Sequence, residues 1–279
     1  MTSDTTSTSA TADATADGGR PLAVVTGASS GIGLELARQF VDHHFDLLVA
    51  AEDDGIANAT DSLRALGSQV ESVQADLGTY EGVEQLVARI RSLGRPVDAV
   101  AINAGVGVGG PFLETDLQKE VELINLNVTS VVHLAKRVLP DMVARGEGRV
   151  LFTSSIAAEM PGPFEAVYAA SKAFELSFAE AIRNELKDTG VTITALQPGP
   201  TDTNFFRRAD MEDTKVGAGK KDDPAEVARQ GFEALMAGKD HVVAGSVKNT
   251  LQSALAQVTP ETTKAAMHRK LSEPGSANP

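Results

Sequence analysis

Seven short apolar runs recur along this chain: "LAVVT" (22–26), "DLLVAA" (46–51), "VESVQA" (70–75), "VDAVAI" (97–102), "RVLFTSS" (149–155), "VTITALQ" (191–197) and "HVVAG" (241–245). Stretches with apolar residues at helical spacing fill the intervals. Runs that are apolar on both faces suit strands covered on both sides, and the intervening helices supply the covers. The alternation therefore predicts an α/β fold, a doubly wound parallel sheet of about seven strands with helices on both faces. Ligands of such sheets bind beyond the carboxyl ends of the strands. Those ends read Thr26-Gly27, Glu52-Asp53, Asp76-Leu77, Asn103-Ala104-Gly105, Ser154-Ser155 and Pro198-Gly199.

The first of these ends opens "TGASSGIG" (26–33), in which Gly27, Gly31 and Gly33 follow Thr26, with Ser29, Ser30 and Ile32 in the same turn. The first backbone amides of a helix lack internal partners and sit at the positive end of its dipole, so a strand-to-helix turn of this kind seats a phosphate. A nucleoside triphosphate loop would need Lys and then Ser or Thr after its last glycine. Ile32 and Gly33 stand at that end instead, which leaves a dinucleotide turn of spacing TGxxxGxG or an ordinary glycine-rich turn.

Composition narrows the partners. Against 25 basic side chains stand 38 acidic ones, a net charge of −13, which argues against a nucleic-acid or anionic-membrane surface. With no Cys there is neither a disulfide nor a thiol nucleophile, and five scattered His give no metal-ligand spacing, so no metal site is expected. Residues 1–19 are a polar tail with almost nothing to bury, expected to be disordered, and lack the basic start and apolar middle of a secretory signal. No apolar run reaches membrane-spanning length, and the expected location is cytoplasmic. Residues 20–272 read as one domain, with 273–279 fraying at the C-terminus.

A long helical stretch starts at "YAASKAFELSFAEAIRNELK" (168–187), where Tyr168 and Lys172, four apart, share one face. With this pair the chain resembles the short, single-domain branch of the short-chain dehydrogenase/reductase family, over residues 21 to 203. The resemblance rests on "TGASSGIG", Asp76-Leu77, "INAG" (102–105), "NLNVTS" (125–130), "TSSIA" (153–157), "YAASK" and "PGPTDT" (198–203), with Ile102 departing from the Asn often found there. It implies a Rossmann fold, a nicotinamide dinucleotide, and hydride transfer between a secondary alcohol and a ketone.

Hydride addition to a carbonyl carbon leaves charge on its oxygen, which requires a neighbouring proton donor. The resemblance assigns that part to Tyr168. A free phenol titrates near ~10, and a nearby ammonium lowers that value, a part expected of Lys172. By the resemblance Lys172 also bonds the nicotinamide ribose, Ser155 holds the substrate oxygen, and Asn127 completes a proton relay, with Asn125 structural. For the dinucleotide it implies Thr26, Gly27, Ser29, Ser30, Gly31, Ile32 and Gly33 at the pyrophosphate turn. Asp76 and Leu77 fall at the adenine, Asn103 and Gly105 at its ribose, and Pro198, Gly199, Thr201 and Thr203 at the nicotinamide.

A 2′-phosphate needs a basic partner, whereas a free 2′-hydroxyl is best met by a carboxylate. Ser30 and Ala51 are uncharged and Glu52 follows, so NAD is expected, with NADP as the alternative. Substrate selection is expected from a lid at about 200–223, with Phe205 and Phe206, hinges at 217–219, and Met160, Pro161 and Phe164 on the pocket. That lining points to an apolar alcohol or ketone. A ketoreductase acting on acyl-carrier protein with NADPH is an alternative, for which Arg207-Arg208 is the basic patch. A non-catalytic dinucleotide sensor is another, disfavoured by the intact Ser155, Tyr168 and Lys172. Helices at roughly 112–142 and 168–187 are expected to pair copies into a homodimer or homotetramer.

Overall fold

In the computed structural model, residues 19–256 and 258–277 are described. Seven strands form one sheet: β1 (Leu22–Thr26), β2 (Asp46–Ala51), β3 (Val70–Gln74), β4 (Ala99–Ile102), β5 (Gly148–Thr153), β6 (Val191–Pro198) and β7 (His241–Ala244). Their order is β3-β2-β1-β4-β5-β6-β7, every neighbour pair parallel. From β1 the chain builds outward in one direction, and from β4 in the other. The crevice between these two strands is where a doubly wound sheet leaves room for a ligand.

Helices α1 (Gly31–Asp42), α2 (Gly55–Arg64) and α9 (Pro224–Met236) cover one face. There Leu36, Phe40, Leu63, Val227 and Phe232 pack on Val25, Val49 and Leu151. The other face carries α3 (Tyr80–Ser92), α5 (Ser130–Arg145) and α6 (Ala166–Glu185), whose Leu86, Leu134, Met142 and Ala179 meet Val24, Val100 and Phe152. Each helix buries only a stripe of its surface, as its apolar spacing dictates. Before α5, helix α4 (Leu117–Ile124) runs through a π-helical turn, Asn125–Thr129. Short helices α7 (Phe205–Arg208) and α8 (Lys215–Ala218) follow β6, and α10 (Val247–Ala256) and α11 (Glu261–Ser272) follow β7.

Two expectations need correction. The glycines of 217–219 are not loose hinges: a Cβ on Gly217 would collide with the Met211 carbonyl, so that glycine permits close packing. Around it Phe206, Ala209 and Met211 are buried together. Nor do residues 273–277 fray. Gly275 N donates to Asp213 Oδ2 at 2.8 Å, Ala277 N to Asp213 O at 2.9 Å, and Ser276 Oγ accepts from Lys215 N at 3.0 Å. The polar tail expected at 1–19 lies, save Gly19, outside the described residues.

Candidate active site

The turn after β1 is shaped by backbone, not by side chains. Gly27 and Gly31 have φ of 68° and 57°, which favour glycine. A Cβ on Gly27 would sit 2.9 Å from Ala104 Cα, and one on Gly31 would sit 2.9 Å from Thr203 Cγ2. Gly33 lies so close to the Gly27 carbonyl that any side chain there would collide with it. Ser30 makes no side-chain cap, and the start of α1 lines a cleft of about 450 Å³. Thr26 is buried beneath this turn: its Oγ1 accepts from Asn103 N at 2.9 Å and Ala104 N at 3.0 Å, while Asn103 Nδ2 donates to Thr26 O at 3.1 Å. These bonds tie the ends of β1 and β4 together across the crevice.

The same cleft receives Ser155, Tyr168 and Lys172. Ser155 leaves β5 in extended conformation and its Oγ accepts from Ala157 N at 3.1 Å. Tyr168 lies one turn before Lys172 on α6, with the Lys172 ammonium 5.9 Å from its ring centre. Burial pushes the Tyr168 phenol above its ordinary value. The Ser155 hydroxyl acts the other way, and the charges of Glu165 and Glu175 add to the rise. Burial outweighs the lowering expected from Lys172, whose ammonium is held by Glu175. Lys172 Nζ donates to Glu175 Oε1 at 2.9 Å and Oε2 at 3.1 Å, and to Thr153 O at 2.9 Å. All three groups are buried; desolvation pushes the Glu175 carboxyl up, and Lys172 pulls it back.

Of the other residues singled out in the sequence, Ser29, Ile32, Glu52, Leu77, Asn103, Gly105, Pro198, Gly199, Thr201 and Thr203 border the cleft. Thr26, Gly33, Asp76 and Asn127 do not line it. Asp76 Oδ1 accepts from Gly78 N at 2.9 Å at the start of α3. Asn127, fully buried in the π-helical turn, exchanges hydrogen bonds with the backbone of Val106 at 3.0 and 2.9 Å and donates to Ser171 Oγ at 3.0 Å. It stands directly behind Gly105, whose Cβ would lie 3.2 Å from both Asn127 Oδ1 and Lys172 Nζ. Pro161 and Phe164 are not on the cleft; Phe164 lies instead under Arg269, 4.9 Å from its ring centre.

Sequence reasoning missed Glu175, Glu165, His268 and Ser272, and the place of Arg208. Arg208 Nη2 donates to Glu52 Oε1 at 2.5 Å, joining α7 to the end of β2. Asp53 is likewise engaged, accepting from Ser29 Oγ at 2.7 Å and Gly55 N at 2.9 Å. His268 and Ser272 belong to a helix beyond every recognised motif.

A parallel sheet with a glycine turn at its switch point and polar side chains converging beyond β4 and β5 defines a dinucleotide-binding α/β protein. The sequence profile of the short chain dehydrogenase family matches residues 21–214, and the chain belongs to that family. It is 36% identical over 205 residues to 1-deoxy-11-beta-hydroxypentalenate dehydrogenase of Streptomyces exfoliatus, covering 70% of this chain and 74% of the relative. Among solved structures, a short-chain dehydrogenase from Sphingobium yanoikuyae in complex with NADPH superposes with a TM-score of 0.75 at 28% identity, over 80% of this chain and 87% of that one. A family member from Burkholderia phymatum in complex with NAD gives 0.73 at 25% identity, over 86% and 92%.

Proposed function

We propose that this oxidoreductase uses NAD(P) to interconvert a secondary alcohol and a ketone, with Tyr168 as general acid and base. The observation that carries the proposal is the convergence of Ser155, Tyr168 and Lys172 on the cleft that the glycine turn opens. The turn fits a dinucleotide: a Cβ at Gly27 or Gly31 would fill the cradle, and the uncapped start of α1 offers amides to a pyrophosphate. Gly27, Gly31 and Ile32 would hold that group, Asn103 and Gly105 the adjoining ribose, and Thr201 and Thr203 the nicotinamide end. When bound, the nicotinamide supplies or accepts the hydride.

The chain's own groups handle the proton. Ser155 Oγ hydrogen-bonds the substrate oxygen and fixes it beside Tyr168. A phenol raised by burial stays protonated at neutral pH, so Tyr168 is poised to protonate the alkoxide that carbonyl reduction creates. Lys172, whose ammonium is paired with Glu175, would hold the ribose hydroxyls of a bound dinucleotide, while Asn127 fixes the backbone of Val106 behind them.

NAD is the dinucleotide we favour. Ser30 and Ala51 carry no charge, and Glu52 engages the guanidinium of Arg208, a basic side chain on the cleft. That ion pair also weakens support for an acyl-carrier-protein partner, since it engages Arg208 of the Arg207-Arg208 basic patch. A small-molecule substrate, a cytoplasmic location and a homodimer or homotetramer complete the proposal; no helix among the described residues is long and apolar enough to cross a membrane.

Replacing Tyr168 by Phe tests the assignment. Turnover should fall by about 10²–10⁴-fold while NADH affinity, read by fluorescence titration, stays within a few-fold. Turnover close to that of the unaltered protein would remove Tyr168 from its role.

A further inference from the structure

Helix α10 wears its hydrophobic pattern inside out. Val247, Leu251 and Leu255, with Val258 just past the end of the helix, are 86, 61, 55 and 81% exposed. At helical spacing these four lie on one side. The side that meets the rest of the protein holds Asn249, Ser253 and Ala256 instead, all buried. Polar bonds dock it there: Asn249 Nδ2 donates to Asp222 Oδ2 at 2.7 Å and to Ala244 O at 3.0 Å, and Ser253 Oγ donates to Glu159 Oε1 at 2.6 Å.

A lone exposed leucine needs no explanation, but a row of apolar side chains on one helix face marks a surface that another surface covers. Charge selects the kind of cover. Between Lys248 and Glu261 the chain has no charged residue, so the stripe is neutral ground on a molecule of net charge −13, where two copies can approach without like charges meeting. A helix lying on lipid would instead carry Lys and Arg along its polar side. Here that side is taken up by Asn249 and Ser253 against the body of the protein.

We propose that the stripe is an interface with a second copy of this chain, an antiparallel pair of α10 helices related by a two-fold axis. The spacing is close to palindromic, as such a self-complementary contact requires. With the axis beside the middle of α10, Leu251 of one protomer packs on Leu255 of its partner, and Val247 on Val258. The same pairing brings Lys248, exposed and without an ion pair among the described residues, toward the end of the partner's stripe that carries the exposed Glu261. These side chains alone cover less than the ~800 Å² per partner of a standard interface, so the association is reversible and depends on concentration. The surface is separate from the helices at 112–142 and 168–187, and the inference stands apart from the alcohol–ketone reaction.

Sedimentation over a range of protein concentrations is the test. Leu251→Asp combined with Leu255→Asp should weaken self-association more than about tenfold and halve the particle mass, with the far-UV circular dichroism unchanged. An unaltered protein that is monomeric throughout, or a folded double variant of unchanged mass, would overturn the interface. Because the chain has no Cys, introduced thiols meet no competitor. An equimolar mixture of Leu251→Cys and Leu255→Cys proteins should close into a covalent dimer under mild oxidation. Ser62→Cys, exposed on α2 beside β3 at the far edge of the sheet, should not. Absence of the covalent dimer, or equal linking through Ser62→Cys, would overturn the proposal even if the Asp variant fails to fold. Binding to phosphatidylcholine vesicles by a protein that does not self-associate, abolished by the Asp substitutions, would give the stripe to lipid and overturn it as well.

Discussion

At the scale of single residues, the proposed chemistry turns on the buried contact between Lys172 and Glu175. A carboxylate this close neutralises the ammonium, and its charge also works against ionisation of Tyr168. Glu175→Gln keeps a hydrogen-bonding partner for Lys172 and removes the anion. The phenol should then ionise at lower pH, and the acidic limb of the kcat/KM profile for alcohol oxidation should move down with it. An unmoved profile would make the pair structural only. Glu175→Leu leaves the ammonium with Thr153 O alone, and a loss of about 3–5 kcal/mol in denaturant unfolding is expected. Tyr168 and Lys172 were legible in the sequence because their spacing and the motif around them are distinctive. Glu175 was not: within an amphipathic helix a glutamate reads as part of the solvated face, and only the tertiary fold shows that its side is covered.

At the scale of elements, Glu165, the residue immediately before α6, meets His268 of α11. Burial pushes the Glu165 carboxyl from its ordinary 4.5 to about 7, and it pushes His268 down from 6.5. Below about pH 4.5 Glu165 is protonated folded and unfolded alike, and its ionisation costs nothing. Above about pH 7 it is ionised in both states and carries the full penalty. Stability therefore falls between those limits, by up to about 3 kcal/mol from this group. Glu165→Gln should gain melting temperature relative to the unaltered protein on going from about pH 5 to about pH 8. A difference independent of pH would show that the carboxyl titrates normally. Strands were legible because each is a short β-branched run, although β5 and β4 are trimmed: Ser154 and Ser155 leave the sheet, and Val97 and Asp98 precede it. The packed glycine at 217 and the tethered segment at 273–277 were illegible for one reason. Glycine and short polar residues look alike whether they free a chain or let it approach another closely.

At the scale of the whole molecule, the parallel sheet and its order β3-β2-β1-β4-β5-β6-β7 bring residues from far apart in the sequence to one edge. The alternation of runs and helices was enough to foresee that edge and most of the residues along it. The pairing of Arg208 with Glu52 was not foreseeable, since it joins positions 156 residues apart. The net charge of −13 and the carboxylates at the end of β2 both disfavour the additional phosphate of NADP, and an Arg208 already paired does little to offset them. Titration of the purified protein with NADH and NADPH at matched ionic strength, followed by calorimetry, tests the dinucleotide cleft directly. Saturable binding of one dinucleotide per chain, tighter for NADH, is the predicted result; failure of both to bind would contradict the cleft, and tighter NADPH would contradict the charge argument at Glu52.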